Sequence, residues 1–251
     1  MFIRKLFFCL LFISSTAYAA PTDDIQSNDP AFLFSQGSAY EKDGKTKIAF
    51  DFYEKAADLG HSNAQLVTAL MYGKDKLFAE REKYLLMAAE QGNPVAQNGL
   101  GLIAYREADQ ASAGFNQNIL AEARKWFTLA AEQGHYPSQV HLIMAYSESN
   151  IKNLDIIDSC AWSYYVKDNK DYYEDNIRKI NNSGGRPYID QAQDNGLFIF
   201  AMMQTDEVVK YCNQHIGTAD IVKVSKARKI IEEKIGSRRF LSLNDGSLFD
   251  F

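Results

Sequence analysis

From about residue 32 to residue 165 the apolar positions recur with helical period, in blocks that close on small residues. Phe52-Tyr53 precede Ala56-Ala57, Tyr84-Leu85 precede Ala88-Ala89, and Trp126-Phe127 precede Ala130-Ala131. Bulky residues one turn before paired alanines describe a helix that packs large side chains on one side and admits a close neighbour on the other. Each pair is followed by an acidic residue, one further residue, and then Gly60, Gly92 or Gly134. A glycine at that point ends a helix, because it tolerates the left-handed backbone of the C′ position. The blocks stand 32 and 42 residues apart, so the chain is read as a repeat protein, unit by unit.

A second pattern runs between the blocks. Ala64-Gln65 leads to Ala69 and Tyr72, Ala96-Gln97 to Leu100, Gly101 and Tyr105, and Ser138-Gln139 to Leu142 and Tyr146; Phe32 through Gly37 to Tyr40 reads as an earlier copy. The small residue at Gly37, Ala69 and Gly101 permits a close helix crossing, and the aromatic residue three or four positions later fills the space between helices. Ile143 departs from this rule in the fourth copy. His61, Asn93 and His135 share one place in the link after each glycine, and Asp109 to Asn118 lengthens one unit.

The blocks Ala96-Gln97-Asn98-Gly99-Leu100-Gly101 and Ala123-Arg124-Lys125-Trp126-Phe127 through Ala130-Ala131-Glu132-Gln133-Gly134 resemble Sel1-like repeats, a subset of tetratricopeptide-like α/α solenoids. The resemblance covers roughly residues 31 to 168. It implies an all-α fold: a right-handed α/α solenoid of about four helix pairs, with variable loops at a fixed point of each unit. In the fourth unit Ala161, Tyr164 and Tyr165 align with Ala123, Trp126 and Phe127, but Asp168 and Asn169 replace the two alanines. Regular stacking is expected to end or change there. Beyond it, helical segments are expected near 172–181, 188–202, 205–215 and 218–235, with Ser183-Gly184-Gly185-Arg186-Pro187 as a loop. Together residues 169–236 form a C-terminal cap, since a solenoid's last unit otherwise exposes an apolar face. Within it Ile221, Val224, Ala227, Ile230, Ile231 and Ile235 keep helical spacing, with Thr218 as the expected N-cap and Gly236 as the end. Residues 237–251 read either as a hairpin or as a disordered tail.

The amino terminus is set apart from this pattern. Arg4 and Lys5 precede a short apolar core from Leu6 to Ile13, and Ala17-Tyr18-Ala19 supplies small residues for signal peptidase. Residues 1–19 are therefore expected to be a signal peptide cut between Ala19 and Ala20, followed by a flexible leader over 20–30. The apolar core is far shorter than the roughly 20 residues that span a bilayer, so no stable membrane insertion is expected. The protein is expected to be exported, first of all to the periplasm, with secretion beyond it as the alternative. The whole chain has 27 basic and 32 acidic residues, and loss of Arg4 and Lys5 leaves 25 basic ones and a net charge of −7. That sign argues against nucleic acid as partner. Cys160 and Cys212 survive removal of the leader; in an oxidising compartment they form one disulfide or remain two buried thiols.

Candidate chemistry changes the picture little. No nucleophile motif, phosphate-binding loop or zinc signature occurs, so no catalytic residue, cofactor or metal is expected. His61 and His135 read as link residues, His215 as a helix-end residue, and His141 has no His, Cys or acidic neighbour three or four residues away. Trp162, Tyr164, Tyr165, Tyr172 and Tyr173 form an aromatic cluster, read as packing of the cap or as a rim for a peptide or glycan. Sel1-like proteins, by resemblance, serve as adaptors in bacterial signalling, envelope processes and host interaction. The resemblance thus implies a scaffold that binds another protein or peptide on the concave face of its first helices, with Gln36, Thr68, Asn98 and His141 as candidate contacts. Two alternatives remain at this stage. One is a secreted virulence or host-interaction factor. The other is an envelope enzyme acting on β-lactams or peptidoglycan, implied by cysteine-rich relatives whose cysteine pair in each repeat this chain lacks.

Overall fold

A computed structural model describes residues 24–110, 116–147, 156–182 and 205–236, with side chains omitted over 171–182. The signal peptide with its Ala19–Ala20 cleavage site, the loop 183–187, the segment 188–202, the pair Tyr172 and Tyr173 as side chains, and the tail 237–251 lie outside the described residues. Every described regular element is helical. A 3-10 turn over Asp24–Gln26 precedes α1 (Pro30–Lys42) and α2 (Thr46–Asp58), α3 (Ser62–Lys74) and α4 (Phe78–Glu90), α5 (Pro94–Asp109) and α6 (Gln117–Ala131), α7 (Tyr136–Ser147) and α8 (Ile156–Asn182). Residues 205–215 are helical (α9), and α10 spans Thr218–Ile235. From α1 to α8 successive helices pack on their sequence neighbours, and α10 packs on α8. The result is an all-α solenoid of stacked helix pairs.

The alanine-glycine signature has a complete hydrogen-bond explanation. Gly60, Gly92 and Gly134 have φ of 92°, 89° and 89°. At each end the glycine N–H donates to the second alanine carbonyl and the next residue's N–H to the first: Gly60 to Ala57 and His61 to Ala56, Gly92 to Ala89 and Asn93 to Ala88, Gly134 to Ala131 and His135 to Ala130, all at 2.9–3.1 Å. This is the Schellman pattern, which satisfies carbonyls that a helix end leaves open. The second alanine carbonyl then takes another donor from the following unit. Gln65 Nε2 donates to Ala57, Gln97 Nε2 to Ala89 and Gln139 Nε2 to Ala131, at 3.1, 3.0 and 3.3 Å. Gln91 and Gln133, inside the signature itself, donate back to Gln65 Oε1 at 2.8 Å and Gln97 Oε1 at 2.9 Å. A ladder of glutamine amides, buried at Gln65, Gln97 and Gln139, therefore sets the stacking register from unit to unit.

Close approach is set by the small residues. A Cβ added at Gly101 would lie 2.5 Å from Cδ1 and Cε1 of Phe127, and one at Gly37 would lie 2.7 Å from the same atoms of Tyr53. Phe127 is fully buried, so its ring has nowhere to retreat. Gly101→Ala should cost about 1–2 kcal/mol net, overpacking of about 1–3 kcal/mol being partly offset by the better helix propensity of alanine. A thermal melt indistinguishable from that of the unaltered protein would show that α5 and α6 do not cross at this point.

Two features of the ends add to the sequence reading. Within the segment expected to be a flexible leader, residues 24–30 are described and contact the first unit: Lys55 Nζ donates to the Ile25 carbonyl at 2.5 Å, and Ile25 packs on that unit. Asp29 then caps α1, its carboxylate accepting from the Ala31 and Phe32 amides. At the other end α8 runs without a break through Asp168 and Asn169, joining the segment expected at 172–181 to the fourth unit. Asp and Asn weaken a helix only slightly in its interior. What changes at Asp168 is the neighbour, because its carboxylate meets the Arg228 guanidinium of α10 at 2.7 Å where an alanine would receive another stacked unit.

In the cap, Val224, Ile231 and Ile235 of α10 join the core, whereas Ile221 and Ile230 are exposed among the described residues. The N-cap of α10 is Gly217 and not Thr218, which stands at the first helical position without a capping bond. Gly236 ends the helix with φ of 47°. Cys160 of α8 and Cys212 of α9 are joined as a disulfide with a Cα–Cα distance of 6.0 Å. Tyr164 Oη donates to Asn213 Oδ1 at 2.6 Å beside it.

Candidate functional site

The first helices α3 and α5 share a stripe of equivalent positions. Counted from Ala64 and Ala96, places two, six and ten hold Leu66, Leu70 and Lys74 on α3, and Asn98, Leu102 and Arg106 on α5. Four-residue steps put such positions on one face of a helix. All six line one groove of about 380 Å³, together with Gly73 of α3, Val95, Gly99 and Ile103 of α5, Phe78, Arg81 and Leu85 of α4, and Lys76 at the α3–α4 turn. The floor is aliphatic, Phe78 is 53% exposed at the rim, and the lining cations are Lys74, Lys76, Arg81 and Arg106 with no carboxylate among them.

Asn98 is held from behind. Ser138 Oγ donates to Asn98 Oδ1 at 2.8 Å, and His141 Nδ1 contacts the same oxygen at 2.9 Å. His135 Nδ1 contacts Ser138 Oγ at 2.8 Å. The serine hydroxyl has one proton, which goes to the amide oxygen, so His135 Nδ1 carries the proton in its own contact, and His141 donates likewise to Asn98. With its oxygen occupied by these two donors, Asn98 has its NH₂ group left for the groove. Burial pushes the imidazole of His135 down to about 4 and that of His141 down to about 3, where Arg106 and His135 add a smaller effect. Both rings are therefore neutral at physiological pH.

This serine-histidine-asparagine cluster has the residue types of a hydrolase site and the wrong construction for one. Ser138 is fully buried, so no substrate carbonyl reaches it. Its proton points to an amide and not to a base, the reverse of nucleophile activation. Among the described residues no group of three or more His, Cys, Asp or Glu is placed to hold a metal ion.

Of the four contacts expected from sequence, one lies in the groove. Asn98 lines it; Gln36 is half-buried on α1 and lies outside it. Thr68 and His141 are corrections, because both are buried, at 0% and 2% exposure. Thr68 stands four places after its reference residue where Asn98 stands two, and each place turns the side chain by about 100°; His141 is buried because it packs on Asn98 and the Phe127 ring. His141 acts behind the face by holding Asn98, and Thr68 is packed in the interior. The groove cations escaped notice because they come from different elements, although Lys42, Lys74 and Arg106 occupy the same repeat position.

The remaining link residues are structural. His61 Nδ1 accepts from the Ala64 amide at 3.1 Å, and Asn93 Oδ1 accepts from the Val95 and Ala96 amides at 3.0 and 3.1 Å. Each caps the helix that follows it. No described helix is long and apolar enough to cross a membrane.

No family model matches the chain. Among solved structures it is similar to c5321, described as a protective antigen present in uropathogenic Escherichia coli strains and displaying an SLR fold, with a TM-score of 0.56 and 17% identity. That match covers 85% of this chain but 40% of c5321, so this chain spans well under half of that protein. It is also similar to a Sel1 repeat protein from Oxalobacter formigenes, with a TM-score of 0.50, 20% identity and coverage of 83% of this chain and 88% of that one. At these identities the likeness carries the fold: the arrangement is that of Sel1-repeat solenoids.

Proposed function

We propose that this Sel1-like solenoid is an exported, non-enzymatic scaffold that binds another protein through the face of its first helices, at the groove between α3 and α5. The observation that carries this reading is the stripe of equivalent positions opening onto one apolar, cation-rimmed groove. A stacked solenoid builds such a surface along its first helices, and here the groove floor shares Leu66, Leu85 and Leu102 with the core. The resemblance of the amino terminus to a signal peptide supports export, and the buried, misdirected serine supports binding over catalysis.

Leu70→Glu with Ile103→Glu places two charges in the half-buried groove floor. Complexes captured from the producing cell with this variant should lose the partner found with the unaltered protein, while both proteins give the same helical circular dichroism at growth temperature. Retention of the same partner by a folded variant would remove the groove from the function. Export is checked separately by intact mass: a chain beginning at Ala20 is expected, and one beginning at Met1 would end that part of the proposal.

A further inference from the structure

We infer that the groove takes an extended partner segment with apolar side chains at one end and carboxylates at the other. The inference rests on the scaffold reading and specifies what the scaffold binds. On α3 the stripe runs from apolar to cationic, and on α5 it runs from Asn98 through Leu102 to a cation at the same end. Leu66 and Leu70, like Leu102, form the apolar end, and Lys74 and Arg106 close it. Positions four residues apart on a helix are about 6 Å apart along its axis, and same-face side chains of an extended chain are about 7 Å apart. An extended segment lying along α3 and α5 therefore presents alternate side chains nearly in step with the stripe.

The charge at the closing end is concentrated against the trend of the molecule. The chain has a net charge of −5, yet four cations and no carboxylate line this groove. Lys76 projects from a backbone with φ of 61°, a conformation costly to a residue with a Cβ. Arg81 lies over the Phe78 ring, 5.0 Å from its centroid. Its ion pair is with the adjacent Glu82 at 3.4 Å, and its Nε is shielded from solvent without a hydrogen-bond acceptor. An incoming carboxylate meets the guanidinium as a hydrogen-bonded pair. The Asn98 amide group, turned by Ser138 and His141, supplies a donor for the segment's backbone. A recessed aliphatic floor suits peptide side chains better than a nucleic-acid backbone, which needs a broad basic face.

The test uses fluorescein-labelled octapeptides with a Leu-Ser-Leu-Ser half and an Asp-Asp-Glu-Glu half, made in both chain directions, and their counterparts with lysine in place of every acidic residue. Anisotropy with the full mature protein should show binding of an acidic peptide and not of its lysine counterpart. Lys74→Glu with Lys76→Glu, both exposed, should raise the Kd about tenfold or more, Lys74→Arg with Lys76→Arg should preserve it, and raising salt from about 0.05 M to about 0.5 M should weaken it. Equal binding of acidic and lysine peptides, a Kd unchanged in the double glutamate variant, or no peptide binding would each overturn the inference. So would binding of phosphatidylglycerol vesicles in place of the peptides, which would assign the cations to a lipid surface. Tighter peptide binding by a full chain carrying Asp245→Lys and Asp250→Lys would overturn it in favour of the chain's own carboxy-terminal segment. If partner capture still depends on Leu70 and Ile103 when the peptides fail, the scaffold reading stands and only the acidic preference falls; if capture is also unaffected, both fall.

Discussion

Replacing Cys160 and Cys212 with alanine lowers the stability of the C-terminal part by about 4 kcal/mol, the chain-entropy effect of opening a loop of this length. The cysteines lie 52 residues apart in sequence and join α8 to α9. Both sulfurs sit in the core, so alanine is the better test, because serine would add buried hydroxyls without planned partners. The effect should be local as well as large. One apolar cluster runs from α1 to the start of α5, and another from α5 to α10. In a stacked solenoid each unit depends on its neighbours, so a loss at one end propagates by interfaces and need not unfold the other end at once. Hydrogen exchange with and without reductant measures this: amides of α8 and α10 should lose protection in the reduced protein or the double variant, while those of α2 and α3 keep theirs. Coincident exchange, or a melt insensitive to reductant, would show that the disulfide does not hold the cap.

Acid is the second strong perturbation. His135 and His141 are kept neutral in the folded chain, at about 4 and about 3, against an ordinary value of 6.5. Between those values the unfolded chain binds protons that the folded chain refuses, so stability rises with pH through this window. Their contribution is fully present above pH 6.5 and is lost as the pH falls towards the folded values. Each histidine loses at most about 1.4 kcal/mol per pH unit, which gives about 2 kcal/mol each by about pH 5. Urea unfolding at successive pH values should therefore show a steep loss below neutrality. His135→Asn introduces the residue that the preceding unit carries at Asn93 and should remove about half of the slope. An identical pH profile in that variant would show that His135 is not the group being titrated.

What could be read from the sequence was whatever sterics repeat. Ala56, Ala88 and Ala130, with their glycines, mark helix ends because few residues can form that turn, and Gly101 marks a crossing because no Cβ fits beside Phe127. Binding residues follow no such rule. Asn98, Thr68 and His141 looked alike as polar residues on first helices, and helix phase for Thr68 and tertiary packing on Phe127 and Asn98 for His141 decide that both lie in the core. Lys76 and Arg81 reach the groove from a turn and a second helix, a juxtaposition that periodicity does not encode. The loss of two alanines at Asp168 and Asn169, read as a change of stacking, coincides with a new neighbour, Arg228, but periodicity did not show that α8 continues into the segment expected at 172–181.

Site-specific photocrosslinking tests the binding face most directly. A benzoylphenylalanine at Ile103, in the groove, is compared in the producing cell with one at Leu129, which is 41% exposed on the second helix α6. The expected result is a discrete protein adduct from position 103, abolished by Lys74→Glu with Lys76→Glu, and none of that size from position 129. The same adduct from position 129, or adducts from 129 alone, would contradict the assignment of the first-helix groove as the binding site.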